Sequence, residues 1–235
     1  MNFSQEFKAK LLEYDLLNHH FYKLWSAGKL TLDVLKEYSL QYYQQVKNFP
    51  RYLSATHSIC ENFAFRKILL ENLCDEENDD AENGIVNHIQ LWKNFCLGLG
   101  LSEAETENVK IMPSTQRLID SFFELSRESV ESGVAVLYSQ EHQYAKISES
   151  KRDGLCKFYN IDDKDTVKFF SVHEKADIWH AEQLETLLDN MPSDSHSKIM
   201  EAGVKAIRAL NGFLDGMVER FKLNEIKCDC EEAIA

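Results

Sequence analysis

Only three prolines interrupt this chain of 235 residues, and each stands where a helix would begin. Proline is tolerated in a helix only in its first turn, where its missing N–H has no partner to lose, and Pro50, Pro113 and Pro192 all precede stretches with helical apolar spacing. With glycine also scarce, and apolar residues recurring at three and four almost throughout, the chain is read as all-α. Helices are predicted near residues 4–18, 31–48, 50–62, 64–77, 86–99, 114–126, 128–149, 165–190 and 193–222. Ser102-Glu103-Ala104-Glu105 has the spacing of a capping box and predicts one more short turn. The apolar fraction of 44% suffices for a single core. The length suits one domain, taken as residues 1–223, followed by a disordered tail over 224–235, because Lys227 to Ala235 lacks apolar periodicity. Short connections and the absence of an internal repeat point to one helical bundle.

A net charge of −13 argues against nucleic acid, whose phosphates require a basic surface. No apolar run approaches the roughly 18 residues of a membrane span. The start Met1-Asn2-Phe3-Ser4-Gln5-Glu6 lacks the basic lead of a secretion signal, so the expected location is the cytoplasm. In that reducing compartment Cys60, Cys74, Cys96 and Cys156 are expected as small buried hydrophobes. Cys228 and Cys230 fall in the acidic tail with no further ligands beside them.

The chemistry is concentrated in His173-Glu174-Lys175-Ala176-Asp177-Ile178-Trp179-His180. His173, Asp177 and His180 stand at i, i+4 and i+7, on one face of a helix. Two imidazoles and a carboxylate so placed suit a first-row metal such as iron or manganese. On the helix near 128–149, Glu141 shares a face with Val134, Leu137, Tyr138 and Tyr144, and a buried carboxylate is costly unless paired or bound to metal. A third source is the acidic stretch from Asp75 to Gly84, whose acids oppose the dipole at a helix C-terminus unless a cation offsets them. It offers Glu76 or Glu77 at the end of one helix, with His88 near the start of the next. Glu76, His88, Glu141, His173, Asp177 and His180 together give three imidazoles and three carboxylates, enough for two metal ions with positions left for dioxygen.

Several segments resemble the family of the chlamydial protein associating with death domains. They are Phe21-Tyr22-Lys23-Leu24-Trp25-Ser26, Tyr42-Tyr43, Phe49 to Ala55, Asn72 to Asn78, Asn87-His88-Ile89, Gly133 to Glu141 and His173 to His180, spread over residues 17–216. That family is grouped with the haem-oxygenase-like helical folds that include the PqqC and TenA proteins. The resemblance implies a bundle of seven to eight main helices around a non-haem dinuclear site, two iron ions or iron with manganese, held by the six residues named. Extra residues around 79–83 lengthen the loop before His88, which leaves Glu77 or Glu82 as substitutes for Glu76.

The resemblance also implies an activity. Relatives are thought to make para-aminobenzoate, a folate precursor, by excising and oxidising one of their own tyrosines with dioxygen and an external reductant. The matching residue is Tyr22, with Tyr43 second, and Lys151 matches the lysine thought to donate the nitrogen. A buried lysine can lose its proton and act as a nucleophile, and the excised ring is expected beside the metals. Two other readings differ in class: a PqqC-like small-molecule oxidase, and an interaction protein binding host death domains, as the chlamydial relative is described to do. A thiaminase-like hydrolase would require an activated cysteine in the pocket. A second copy of the chain, forming a homodimer, is the remaining partner expected.

Overall fold

Asn160, in left-handed backbone (φ 56°), turns the chain between its two central helices, α9 (Val130–Tyr159) and α10 (Lys164–Asp189). Asparagine tolerates this conformation at a helix end, and the short connection makes the two helices antiparallel neighbours. Asp163 caps α10 by accepting from the Thr166 N–H. The computed structural model describes residues 2–80, 82 and 85–227.

The other helices surround this pair. They are α1 (Phe3–Leu12), α2 (His20–Ser26), α3 (Leu32–Val46), α4 (Phe49–Ile59), α5 (Phe63–Glu77), α6 (His88–Gly98), α7 (Glu103–Glu107), α8 (Pro113–Glu128) and α11 (His196–Phe221). Among the described residues all regular structure is helical, apart from one antiparallel bridge between Asp80 and Ile85 in the loop joining α5 and α6. The α9 helix lies against α10 and α11, while α6 packs on α10 and α3, and α5 on α4. One continuous core fills the space between them, with Trp25, Trp92, Tyr38, Tyr138, Phe95, Phe122 and Phe169 fully buried.

The prolines fall as expected at α4 and α8, and the capping box at Ser102 is complete, opening α7. Two predictions differ from the structure in ways that matter for function. The helix expected over 4–18 ends at Leu12, and α2 follows as a separate helix because His19 accepts from the Phe21 N–H and restarts it. The helix expected to end at residue 149 continues to Tyr159, which carries Lys151 into the interior. Gly154 lets α2 approach α9 at this point: a Cβ there would lie 2.7 Å from Trp25 Cδ1. The Trp25 indole N–H donates to the Lys151 carbonyl at 3.1 Å, fixing α2, and with it Tyr22, over the lysine.

Cys60 and Cys96 are buried as expected, and burial pushes both thiols up, Cys96 to about 11. Cys74 and Cys156 are exposed, a correction that follows from their places on the outer faces of α5 and α9. At the C-terminal end, Leu223–Glu225 form a 3-10 turn with Leu223 buried. Residues 228–235, with Cys228 and Cys230, lie outside the described residues. No helix among the described residues is long and apolar enough to cross a membrane.

Candidate metal centre and lysine–tyrosine pocket

Four helices each bring buried ligand-type side chains to one place. Glu76 comes from the last turn of α5, His88 from the first turn of α6, Glu141 from α9, and His173, Asp177 and His180 from α10; all six are 5% exposed or less. The Asn87 side chain caps α6 through the Gln90 N–H, which sets His88 at the helix start facing α5. His88 Nδ1 and Glu76 Oε2 are 2.8 Å apart. One ligand atom from each of Glu76, His88 and His173 falls within 4.8 Å of the others, the spacing three ligands of one ion require. Glu77 and Glu82 are exposed, so the structure turns Glu76, not its substitutes, toward His88.

The histidine tautomers support a ligand reading. His173 Nδ1 donates to the Phe169 carbonyl at 2.7 Å, and a carbonyl can only accept, so Nε2 keeps its lone pair for the interior. Phe169 also stacks on the His173 ring at 3.9 Å, and Trp92 meets Phe169 edge-on at 4.7 Å, giving the imidazole a dry, fixed wall. Glu141 Oε1 accepts from the Asn72 amide at 2.8 Å. Glu141 Oε2, Asp177 Oδ2, His88 Nδ1 and both His180 nitrogens complete no hydrogen bond although buried. Orphaned polar atoms cost roughly 1–3 kcal/mol each; the imidazole nitrogens are partly met by carboxylates, but Glu141 Oε2 and Asp177 Oδ2 have no such partner, and a cation beside them would relieve both. A cavity of about 20 Å³, lined by Glu76, Glu141, Tyr144, Phe169, His173 and Asp177, lies against them. That is room for about one water-sized group.

The electrostatics agree. Burial pushes the Glu141 carboxyl up to about 8 and that of Asp177 up to about 6. Burial pulls His173 well below its ordinary value, helped by the charge of His88. Burial also opposes protonation of His180, but Asp177 and Asp75 overcome it and raise that imidazole to about 11. Protons thus stand in a cluster where a divalent ion would displace them. The residues fit a metal site of nitrogen and oxygen donors.

A second buried group adjoins the first along α9. Lys151 is 2% exposed, and its Nζ donates to the Tyr38 hydroxyl at 2.7 Å. Tyr38 and Tyr22 share a hydrogen bond of 3.0 Å between their hydroxyls. The rings of Tyr22, Tyr38 and Tyr42 each lie 5.0 Å from Nζ, and that of Tyr144 lies 5.3 Å away. Aromatic faces favour an ammonium by about 2 kcal/mol or more when dry, but burying an ion without a counter-ion costs several. Burial wins, and the amine is held well below the ordinary lysine range. The Tyr22 phenol is pushed up by the same burial.

Tyr43 does not join this group. One residue round α3 from Tyr42, it is buried on a different face of the helix, donates to Glu107 at 2.9 Å and lies beneath Lys47 and Lys93. Tyr22 packs against Phe21 and Tyr38, while Tyr144 is the tyrosine whose ring meets His173, at 5.5 Å, and Tyr42 stacks on Tyr144. Sequence reasoning missed Asn72, Asp75, Tyr38 and Tyr42. Their spacing held the signal, since Asn72 and Asp75 stand at i−4 and i−1 from Glu76, and Tyr38 and Tyr42 are one helical turn apart.

A family model described as TENA/THI-4/PQQC family matches residues 7–220. The chain belongs to this family. Among its curated relatives, the protein of Chlamydia muridarum called 4-aminobenzoate synthase is 36% identical over 234 residues, covering 99% of this chain and 95% of that one. A solved CADD-like protein of unknown function from Nostoc punctiforme shares the fold, with a TM-score of 0.72 at 16% identity over 92% of this chain and 98% of that one. A domain from Shewanella denitrificans with a haem-oxygenase-like fold aligns at a TM-score of 0.71 and 15% identity, over 94% and 93% of the two chains. At such identities the solved structures speak for the fold, and this TENA/THI-4/PQQC chain has the all-α architecture that its helix pattern implied and the haem-oxygenase-like fold that the resemblance implied.

Proposed function

We propose that this protein is a metal-dependent oxidase that makes 4-aminobenzoate, taking the aromatic ring from its own Tyr22 and the nitrogen from Lys151. The observation that carries the reading is the buried chain Lys151–Tyr38–Tyr22, in which an amine whose charged form burial disfavours and a phenol are joined through one hydroxyl. An amine without its proton has a free pair of electrons and is a nucleophile; a surface lysine is not. Kinship with a 4-aminobenzoate synthase over nearly the whole chain supports the product.

Glu76, His88 and His173 are the residues to hold one ion, and Glu141, Asp177 and His180 the second, as two irons or iron with manganese. Such a centre, when bound, supplies dioxygen activation, with electrons from an external reductant. The chain's own residues do the rest. Phe169 and Trp92 exclude water from the ligand face, and Asn72 orients Glu141. Tyr38 holds amine and phenol in register, while Tyr42 and Tyr144, both kept protonated by burial, fill the layer between Lys151 and the ligand face. Because Tyr22 is consumed, each molecule acts once.

Elemental analysis with dioxygen uptake tests the metal half of this reading. The protein loaded with iron(II) is expected to hold two ions per chain and to consume dioxygen once a reductant is added. His173→Ala is expected to lower the metal content sharply with helical circular dichroism retained. Wild-type metal content in that variant would remove the ligand assignment.

A further inference from the structure

All six candidate ligands are buried, and the cavity between them holds about one water, so an ion from solution needs a way in lined with donors. The α5 helix ends in Asp75-Glu76-Glu77, three acids at the terminus where the helix dipole makes acids unfavourable. Glu76 turns inward. Asp75 and Glu77 turn outward, into a surface cleft of about 860 Å³ that Glu71, Cys74, Asn78 and Trp179 also line, and to which no lysine or arginine contributes.

His180 links this cleft to the interior. Its ring is fully buried, yet Nε2 lies 3.1 Å from Asp75 Oδ2, whose side chain is 46% exposed, while Nδ1 lies 3.8 Å from the buried Asp177 Oδ1. Neither nitrogen completes a hydrogen bond. A single imidazole therefore faces a solvent-side carboxylate with one nitrogen and the ligand cluster with the other. The exposed Trp179 ring lies 5.2 Å from it and closes the outer side.

We propose that this cleft is the path by which a divalent metal ion reaches the buried site, and that Asp75 takes the ion from solution and passes it to His180. The inference rests on the reading of the six buried residues as a metal site. Carboxylates with an amide suit the hard, hydrated first-row ions, and the negative cleft at a helix C-terminus raises their local concentration. A carboxylate that only held His180 in place would instead alter how tightly the ion is kept.

Loading kinetics separate the two roles. The full chain, stripped of metal by a chelator, is mixed with Mn²⁺ alone, and quenching of tryptophan fluorescence is followed in time. Final manganese content is then measured by elemental analysis. Asp75→Asn, which keeps the size of the side chain, is expected to load roughly tenfold more slowly at low salt and to reach the wild-type content. Glu71→Gln with Glu77→Gln is expected to slow loading a few-fold and to flatten its salt dependence. Wild-type loading rates in both variants would overturn the path, as would slow loading of Asp75→Asn that ends in a lower final content. A wild-type protein that takes up no Mn²⁺ would overturn the metal site, and the path with it.

Discussion

The amine of Lys151 and the hydroxyl of Tyr38 are joined by a 2.7 Å hydrogen bond between α9 and α3, with no carboxylate bonded to the amine among the described residues. Lysine is almost never buried without an anion, because desolvating its charge costs more than neighbouring rings return. Burial therefore favours the neutral amine over the ammonium. The rings of Tyr22 and Tyr42 lie equally close to it, at 5.0 Å.

Replacing Lys151 by Met keeps an unbranched chain of similar volume and removes the buried amine. The variant is expected to be more stable than the wild type, by several degrees in thermal midpoint, and to make no product. The sign follows from linkage. The folded value of the amine lies well below the unfolded 10.5, so Lys151 costs increasing stability as the pH falls from about 10.5 toward that folded value. The gain is therefore larger at pH 7 than at pH 10. A Met variant less stable at pH 7 would show that the amine is charged and satisfied.

Tyr38→Phe leaves the Lys151 amine and the Tyr22 hydroxyl without the partner that joins them. A loss of roughly 1–3 kcal/mol is expected, with metal content unchanged and product formation strongly reduced. Thermal denaturation and elemental analysis of one sample read both effects. Full product yield would mean that amine and ring need no bridge.

Glu141 gives a pH signature in the metal-free protein. Its folded value is about 8 against 4.5 unfolded, so the folded state holds a proton the unfolded state has lost between those limits. Glu141 accordingly costs stability increasingly as pH rises from about 4.5 to about 8. Glu141→Gln does not titrate, so its stability relative to wild type is expected to rise over that interval. The check is the difference in thermal midpoint at pH 5 and pH 8 with a chelator present; a constant difference would contradict the buried, protonated carboxyl.

Much of the site is legible in the sequence. His173, Asp177 and His180 were placed on one face by spacing alone, and Glu141 was placed inward by its apolar neighbours; all four are buried together. Lys151 was harder, because Glu149-Ser150-Lys151-Arg152-Asp153 is polar enough to read as a helix end. The helix nonetheless continues, with Tyr144, Ser148, Lys151 and Leu155 on its buried face. The choice between Tyr43 and its neighbours could not be made locally. Adjacent residues on α3 differ by about 100° in direction, and only the packing of α9 and α10 decides which face is inward. Asp75 stayed hidden for a related reason: its contact with His180 crosses from α5 to α10, and an acidic run at a helix end looks like any solvated terminus.

The most direct test is the origin of the ring. Protein made with ring-labelled tyrosine, loaded with iron(II) and given dioxygen and a reductant, is expected to release 4-aminobenzoate carrying the ring label. The remaining chain is expected to have lost mass at Tyr22, and Tyr22→Phe, with its metals retained, is expected to yield none. Mass spectrometry reads product and protein in the same reaction. Unlabelled 4-aminobenzoate from fully labelled protein, with Tyr22 intact, would contradict the account and return the enzyme to oxidising an external small molecule.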